Sequence, residues 1–333
     1  MKPQSWSSFF SALTHQSKRS ASALDKDPSL EQDIESFGNG HRVLTEPRYK
    51  FWTPTNQIGL LVWLLGSAVV FPVLTETVQS YTLPVRVDRW LEVRQIGGAV
   101  DFYRNSQVEA ASTYSTKLEQ VGDRLTTGDE SSATLAVDTG IGYVMMAENT
   151  DMSVQELSVT ASGGRVTRLN ITTGQARLQV RPFLNPESEL EIRTPAGVSG
   201  VRGTEFGVGV TPSGQTGVAT MEGKVDASAQ GVTVIINEGY QSLIVPGFPP
   251  TPPVPITDNV EIDITRLHRI DRNLVRIAGR IDPFSQLTVN DEVQDVNSEG
   301  WFNITVPYSD DDYIPVTVST LSGNKKVYAL AVP

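Results

Sequence analysis

The densest cluster of side chains able to do chemistry is a run of three carboxylates, Asp310, Asp311 and Asp312. Such a run suits a hard cation or a carboxylate-dependent hydrolysis, but calcium takes six or more oxygen ligands. A charge run in a loop is usually just solvated, so neither a metal site nor a catalytic residue is assigned to it. The other titratable candidates are sparse: His15, His41 and His268 are far apart, and there is no cysteine at all. This excludes a disulfide framework, thiolate metal sites and a cysteine nucleophile. No HExxH, GxSxG, GxGxxG or P-loop spacing occurs, so no cofactor is expected and the chain reads as a non-enzyme. Asn170 to Thr172 and Asn303 to Thr305 fit the glycosylation pattern, yet both fall in strand-like runs and carry no weight.

A second cluster lies in the run from Glu191 to Phe206. Thr194 precedes Pro195 and is therefore biased to an extended backbone. Gly203 permits a conformation or close approach denied to other residues. Arg202 offers five donors in a fixed fork, for carbonyls or a carboxylate. Thr204 follows, and Phe206 points to a core with Val208 and Val210 on the same strand face. Turn and packing account for all of these roles, which makes the run architectural first; recognition of a partner by Arg202 is the alternative.

The elements that must position this run begin with an uncharged stretch, Phe51 to Thr75, 25 residues long between Lys50 and Glu76. A bilayer core of roughly 30 Å needs about 20 helical residues. Tyr49, Phe51, Trp52 and Tyr81 flank the stretch where interfacial aromatics belong. We therefore expect one membrane-spanning helix over 51–78, in contact with lipid. Residues 1–50 are polar and read as a disordered tail. Within it Trp6, Phe9, Phe10 and Leu13 would stripe one face of a short helix, which is marginal on its own. Arg42, Arg48 and Lys50 before the span are balanced by Arg86, Arg89 and Arg94 after it, so charge alone leaves the orientation open. The net charge of -11 argues against a nucleic-acid partner.

Beyond the span the period is two. From 83 to 245, runs such as 133–137, 166–171, 177–180 and 232–236 read as strands. Turns are expected at Gly97-Gly98, 127–129, 162–164, Thr173-Gly174, Glu222-Gly223 and Glu238-Gly239. A helix of ten residues is conceivable only around 108–118. Leu125 to Gly128 is echoed by Ile171 to Gly174, which suits a stacked or coiled all-β domain. Residues 246–255 hold six prolines in ten positions and read as a semi-rigid spacer. From 256 to 333, five strand-like runs at 274–278, 286–289, 301–306, 314–318 and 326–330 suggest a small β-sandwich. The fold class is thus mainly β: a single-pass anchor, a stacked all-β domain and a small sandwich.

Thr194-Pro195, Arg202-Gly203-Thr204 and Phe206, with Gly122 to Gly128 upstream and the Glu222-Gly223 and Glu238-Gly239 turns downstream, resemble the FecR domain over about residues 90–245. The final module resembles bacterial immunoglobulin-like domains through Ala278-Gly279, Val289-Asn290 and Glu299 to Phe302. The first resemblance implies a bacterial inner-membrane protein of the cell envelope, with a cytoplasmic N-terminus and most of the chain periplasmic. It also implies signal transduction from an outer-membrane transporter to a sigma factor. This chain departs from that plan at both ends: the tail lacks the helical sigma-binding domain, and an immunoglobulin-like module replaces the small α/β signalling domain. The sequence therefore ranks a non-catalytic binding or adaptor module for an envelope protein or cell-wall polymer first. A FecR-type transmembrane regulator comes second, and a carboxylate-dependent hydrolase a distant third.

Overall fold

The structure, a computed structural model, describes residues 88–105, 107–138, 140–308 and 313–333. The tail at 1–50, the apolar stretch at 51–78 and Asp310 to Asp312 lie outside those residues. No helix forms among the described residues, so none there is long and apolar enough to cross a membrane.

The chain runs through β1 (Leu91–Gly97), β2 (Val100–Arg104), β3 (Gln107–Ala110), β4 (Lys117–Leu118), β5 (Arg124–Thr127) and β6 (Ser132–Val137). It continues through β7 (Gly142–Met146), β8 (Asp151–Val159), β9 (Arg165–Val180), β10 (Glu189–Arg193), β11 (Val198–Val201) and β12 (Glu205–Val210). Then come β13 (Thr216–Glu222), β14 (Lys224–Ala229), β15 (Val232–Asn237), β16 (Tyr240–Ile244) and β17 (Val254–Pro255). One layer has the order β4-β1-β6-β7-β9-β12-β13-β16-β17. The other has β3-β2-β5-β8-β9-β10-β11-β14-β15. Their inner faces share one hydrophobic cluster that includes Leu91, Leu135, Leu169, Leu178, Ile192 and Phe206.

The 16-residue β9 is central in both layers. Its first half pairs with β8 and β10, and its second half with β7 and β12. Between them the register against β8 slips, with Asp151 opposite Thr173 but Met152 opposite Ile171. The extra residue reverses which positions face inward: Leu169 and Ile171 before it are buried, Ala176, Leu178 and Val180 after it. Thr173-Gly174 is therefore a bulge inside a strand and not the turn expected there. Gly174 has φ 89°, and a Cβ on it would lie 2.5 Å from the Asn149 carbonyl oxygen, so only glycine fits.

The expected turns at Gly97-Gly98, 127–129, 162–164, 222–223 and 238–239 all fall at the end of a strand or between strands. The helix considered at 108–118 does not form. Residues 107–110 are instead the hairpin partner of β2. In the Ser/Thr-rich stretch that follows, the Thr116 hydroxyl takes the Ser112 N–H at 2.8 Å, offering the backbone an alternative to helix. The proline-rich stretch is no free spacer either. Val254 and Pro255 pair with β16, and the Thr251 hydroxyl and carbonyl take the Leu243 N–H and the Ser242 hydroxyl.

The remaining strands are β18 (Asp263–Arg269), β19 (Leu274–Arg280), β20 (Gln286–Val289), β21 (Glu292–Gln294), β22 (Trp301–Pro307), β23 (Ile314–Ser319) and β24 (Lys325–Leu330). They make a three-stranded sheet, β18-β19-β22, and a four-stranded sheet, β21-β20-β23-β24. A second hydrophobic cluster, including Ile277, Leu287, Phe302 and Val318, belongs to these strands.

The entry of the chain into the first layer is fixed by a buried ion pair. Arg89 (5% exposed) donates to Asp138 at 2.8 Å, to the Ser158 carbonyl at 2.8 Å, to the Thr167 hydroxyl at 2.6 Å and to the Val166 carbonyl. Asp138→Ala leaves a buried guanidinium without its counter-charge and should cost about 3–5 kcal/mol. The double variant Arg89→Met/Asp138→Asn, which keeps a residue that tolerates the φ of 45° at position 138, should recover part of that loss, measured by urea unfolding.

Candidate interaction surface

The run from Glu191 to Phe206 is the corner at which the chain passes from one layer to the other. It includes the end of β10, all of β11 and the start of β12. Thr194 closes a turn between β10 and β11: its N–H donates to the Gly197 carbonyl at 2.9 Å, and its hydroxyl accepts from Thr216 at 2.9 Å. Pro195 lies exposed beside Gly214, whose added Cβ would meet it at 2.8 Å. Gly203 has φ 131°, and a Cβ there would stand 2.5 Å from the Pro182 backbone. Thr204 exchanges backbone hydrogen bonds with Val180 at 3.0 Å each, and its hydroxyl donates to the Lys224 carbonyl at 2.8 Å. Phe206 is the largest side chain fully enclosed in the core.

Arg202 differs from these neighbours. Its carbonyl accepts the Phe183 N–H at 3.2 Å, but its guanidinium is exposed and makes no hydrogen bond or ion pair among the described residues. The turn-fixing role that the residue type allows is therefore not the one its side chain fills. Arg181, on the adjoining segment, is likewise exposed and unpaired among the described residues, and Leu184 after it is fully exposed. Elsewhere in these two layers arginines are consumed by carboxylates: Arg104 by Asp123, Arg124 by Asp151, Arg168 by Glu156 and Glu191, Arg177 by Glu205. The corner thus presents two free cations and a bare leucine on a chain of net charge -11. Sequence reasoning singled out Arg202 but missed Arg181 and Leu184, because only the three-dimensional corner brings their segments together. His268 stands exposed on β18, away from any such grouping in sequence.

Glu191 opens the run at 7% exposure. Burial alone would raise its carboxyl, but hydrogen bonds from Arg193 and Arg168 outweigh burial and hold it below the usual range. At Asp123, burial is likewise overcome by Arg104 and by the Gln120 and Glu119 N–H groups. A carboxyl lowered on folding adds stability above its unfolded pKa and loses it as pH falls through the folded value. Wild-type protein should therefore lose stability on acidification, and Glu191→Gln, less stable at neutral pH, should lose less, read from urea midpoints against pH. In the same assay Phe206→Ala should cost about 3–5 kcal/mol. Gly203→Ala should cost more than about 1 kcal/mol through strain, and Arg202→Ala should stay within about 0.5 kcal/mol.

No curated protein matches the chain. Two crystal structures, at 1.65 and 2.50 Å resolution, are described as those of a candidate anti-sigma factor from Parabacteroides distasonis ATCC 8503. They are similar to this chain at 15% and 14% identity with TM-scores of 0.33 and 0.34, and the match covers 40% of this chain. The chain spans 59% of the length of those structures. One family model matches, from Asp123 through the corner run to Asp226 in β14: over residues 123–226 the chain matches the family described as FecR protein.

Proposed function

We propose that the chain is a non-catalytic signalling regulator of the FecR type, which reverses the order reached from sequence, where the adaptor reading stood first. The observation that carries this reading is the family match over residues 123–226, which includes the corner and its unpaired Arg202. In this reading the corner meets an acidic partner, with Arg202 and Arg181 supplying the charge and Leu184 an apolar contact. Two exposed cations favour an oppositely charged surface.

The reading also includes an inner-membrane anchor at 51–78, a cytoplasmic tail and an immunoglobulin-like module after residue 256. Burial of Arg89 against Asp138 supports the orientation. A guanidinium enclosed by carbonyls cannot lie at a lipid surface, and Arg94 is paired with Glu92 at 2.7 Å. Arg89 and Arg94, two of the three cations after the span, are thus engaged by the fold, which tips the positive-inside balance toward the N-terminal flank.

Deletion of residues 1–50 tests the regulator role. A changed transcript profile in the native host is expected, and an unchanged one would return the adaptor reading to first place. Arg202→Glu with Arg181→Glu should weaken capture of the acidic partner at least tenfold in a cross-linking assay while leaving the unfolding midpoint almost unmoved.

A further inference from the structure

The outward face of the first layer carries a trough. On β12, Phe206, Val208 and Val210 point to the core, so Gly207 and Gly209 face out; opposite them on β13 stand Ala219 and Gly217. The outward neighbours on one side are Arg177 and Gln175 of β9, and on the other Gln241 and Leu243 of β16. Small residues along the middle of a sheet, walled by long ones, leave a groove in which another backbone can approach closely.

Leu321 fills it. It sits at the tip of the hairpin between β23 and β24, where Thr320 and Asn324 close a turn. Hairpin tips are normally polar, yet Leu321 is 6% exposed and belongs to neither hydrophobic cluster. A Cβ on Gly207 would stand 2.1 Å from its carbonyl oxygen, one on Gly209 2.7 Å and one on Gly217 3.0 Å from its methyl carbons. No positive φ occurs at these three glycines, so the backbone itself would accept a side chain. They are small because of what lies on them.

Leu243, Pro283 and Phe284 line the same trough, and hydrogen bonds and an ion pair hold the junction around them. Arg177 donates to the Ser322 carbonyl at 2.6 Å, Lys325 to Glu148 at 2.7 Å, Asn149 to the Asp291 carbonyl at 2.7 Å, and the Ser213 N–H to Asp295 at 2.7 Å. The buried Gln286 Oε1 beside the trough has no hydrogen-bond partner among the described residues. Junctions of this kind within a chain behave like transient interfaces.

We propose that the trough on β12 and β13 is a docking groove for a leucine-bearing turn, and that residues 319–325 occupy it in cis as a releasable latch. The latch tightens in acid. Asp291 faces Asp129, Glu130 and Glu148 across the junction, with Lys325 the opposing cation; burial and those carboxylates raise its carboxyl. A carboxyl raised by docking takes up a proton more readily docked than free. Docking therefore gains as pH falls through the raised value. The proposal is independent of the regulator reading.

The chain has no cysteine, so Val108→Cys with Ser298→Cys gives two clean label sites for pulsed EPR on the full chain. The wild-type labels should show one narrow distance population, sharper at pH 5 than at pH 8. Leu321→Asp and, separately, Gly209→Val should lower the narrow-to-broad ratio at least about tenfold, and Asp291→Asn should remove the pH dependence. A peptide of residues 317–326 should bind the Leu321→Asp protein and not the wild type, where the groove is occupied. An unchanged narrow population in both variants, equal peptide binding to both proteins, or none to either would overturn the proposal. So would calorimetry showing that both variants unfold the strands after residue 256, since the contact would then belong to one indivisible core.

Discussion

A strand can serve two layers of a sandwich only if its inward face reverses partway along, and here that reversal rests on Gly174. Before it, β9 sends Leu169 and Ile171 into the core from one layer; after it, Ala176, Leu178 and Val180 enter from the other. The reversal is held by Thr150, whose hydroxyl exchanges hydrogen bonds with Gln175 at 3.0 Å while its N–H donates to the Thr127 hydroxyl at 3.0 Å. The paired sequences Leu125 to Gly128 and Ile171 to Gly174 thus meet across one residue. β10 can run parallel to the first half of β9, and β12 antiparallel to the second, only because the two halves lie in different layers. The chain returns to the second layer between β9 and β10, and the corner at Arg202 to Thr204 makes the crossing after that, with Gly203 against Pro182.

The strands themselves were legible, because alternation of apolar and polar residues follows directly from one face being buried. Runs at 133–137, 274–278 and 314–318 coincide with strands, and Glu222-Gly223 with its left-handed glycine is a turn as its residues suggest. Thr173-Gly174 was misread because a turn and a bulge ask the same thing of a glycine, a positive φ, and differ only in whether the chain continues in the same direction. The proline-rich stretch misled for a related reason. Proline removes a donor, but Thr251 between the prolines supplies one, its N–H donating to the Leu243 carbonyl at 2.9 Å, while its hydroxyl and carbonyl accept from Leu243 and Ser242. Arg89 carried no local signal at all: its partners lie 49 to 78 positions away.

In the candidate site, resemblance located the run, and the chemistry of the residue type anticipated the enclosure of Phe206. It did not separate Arg202 from the rest, since whether a guanidinium finds a carboxylate depends on what the opposite segment brings. The trough was readable in principle. From Phe206 to Val210 every outward position is glycine, although exposed strand positions favour β-branched and polar residues. Without knowing that the outward face is covered, that pattern reads as mere weakness in the strand.

Arg202 with Arg181, and the glycines with Leu321, break local rules in opposite ways. The arginines are exposed cations left unpaired in a fold that pairs its other central arginines. The leucine is an apolar hairpin tip seated on glycines that the backbone does not require. A sequence that is locally consistent almost everywhere concentrates its exceptions where something other than folding sets the residue. Neither exception belongs to the core: the arginines make no hydrogen bond or ion pair among the described residues, and Leu321 lies outside both hydrophobic clusters. They also occupy different parts of the domain, the arginines at the corner between layers and the leucine on the outward face of one layer. The first is a surface left open and the second a surface kept closed. A domain with one face of each kind can hold a partner at the corner while the state of the latch is set separately, by proton uptake at Asp291 or by competition for the groove.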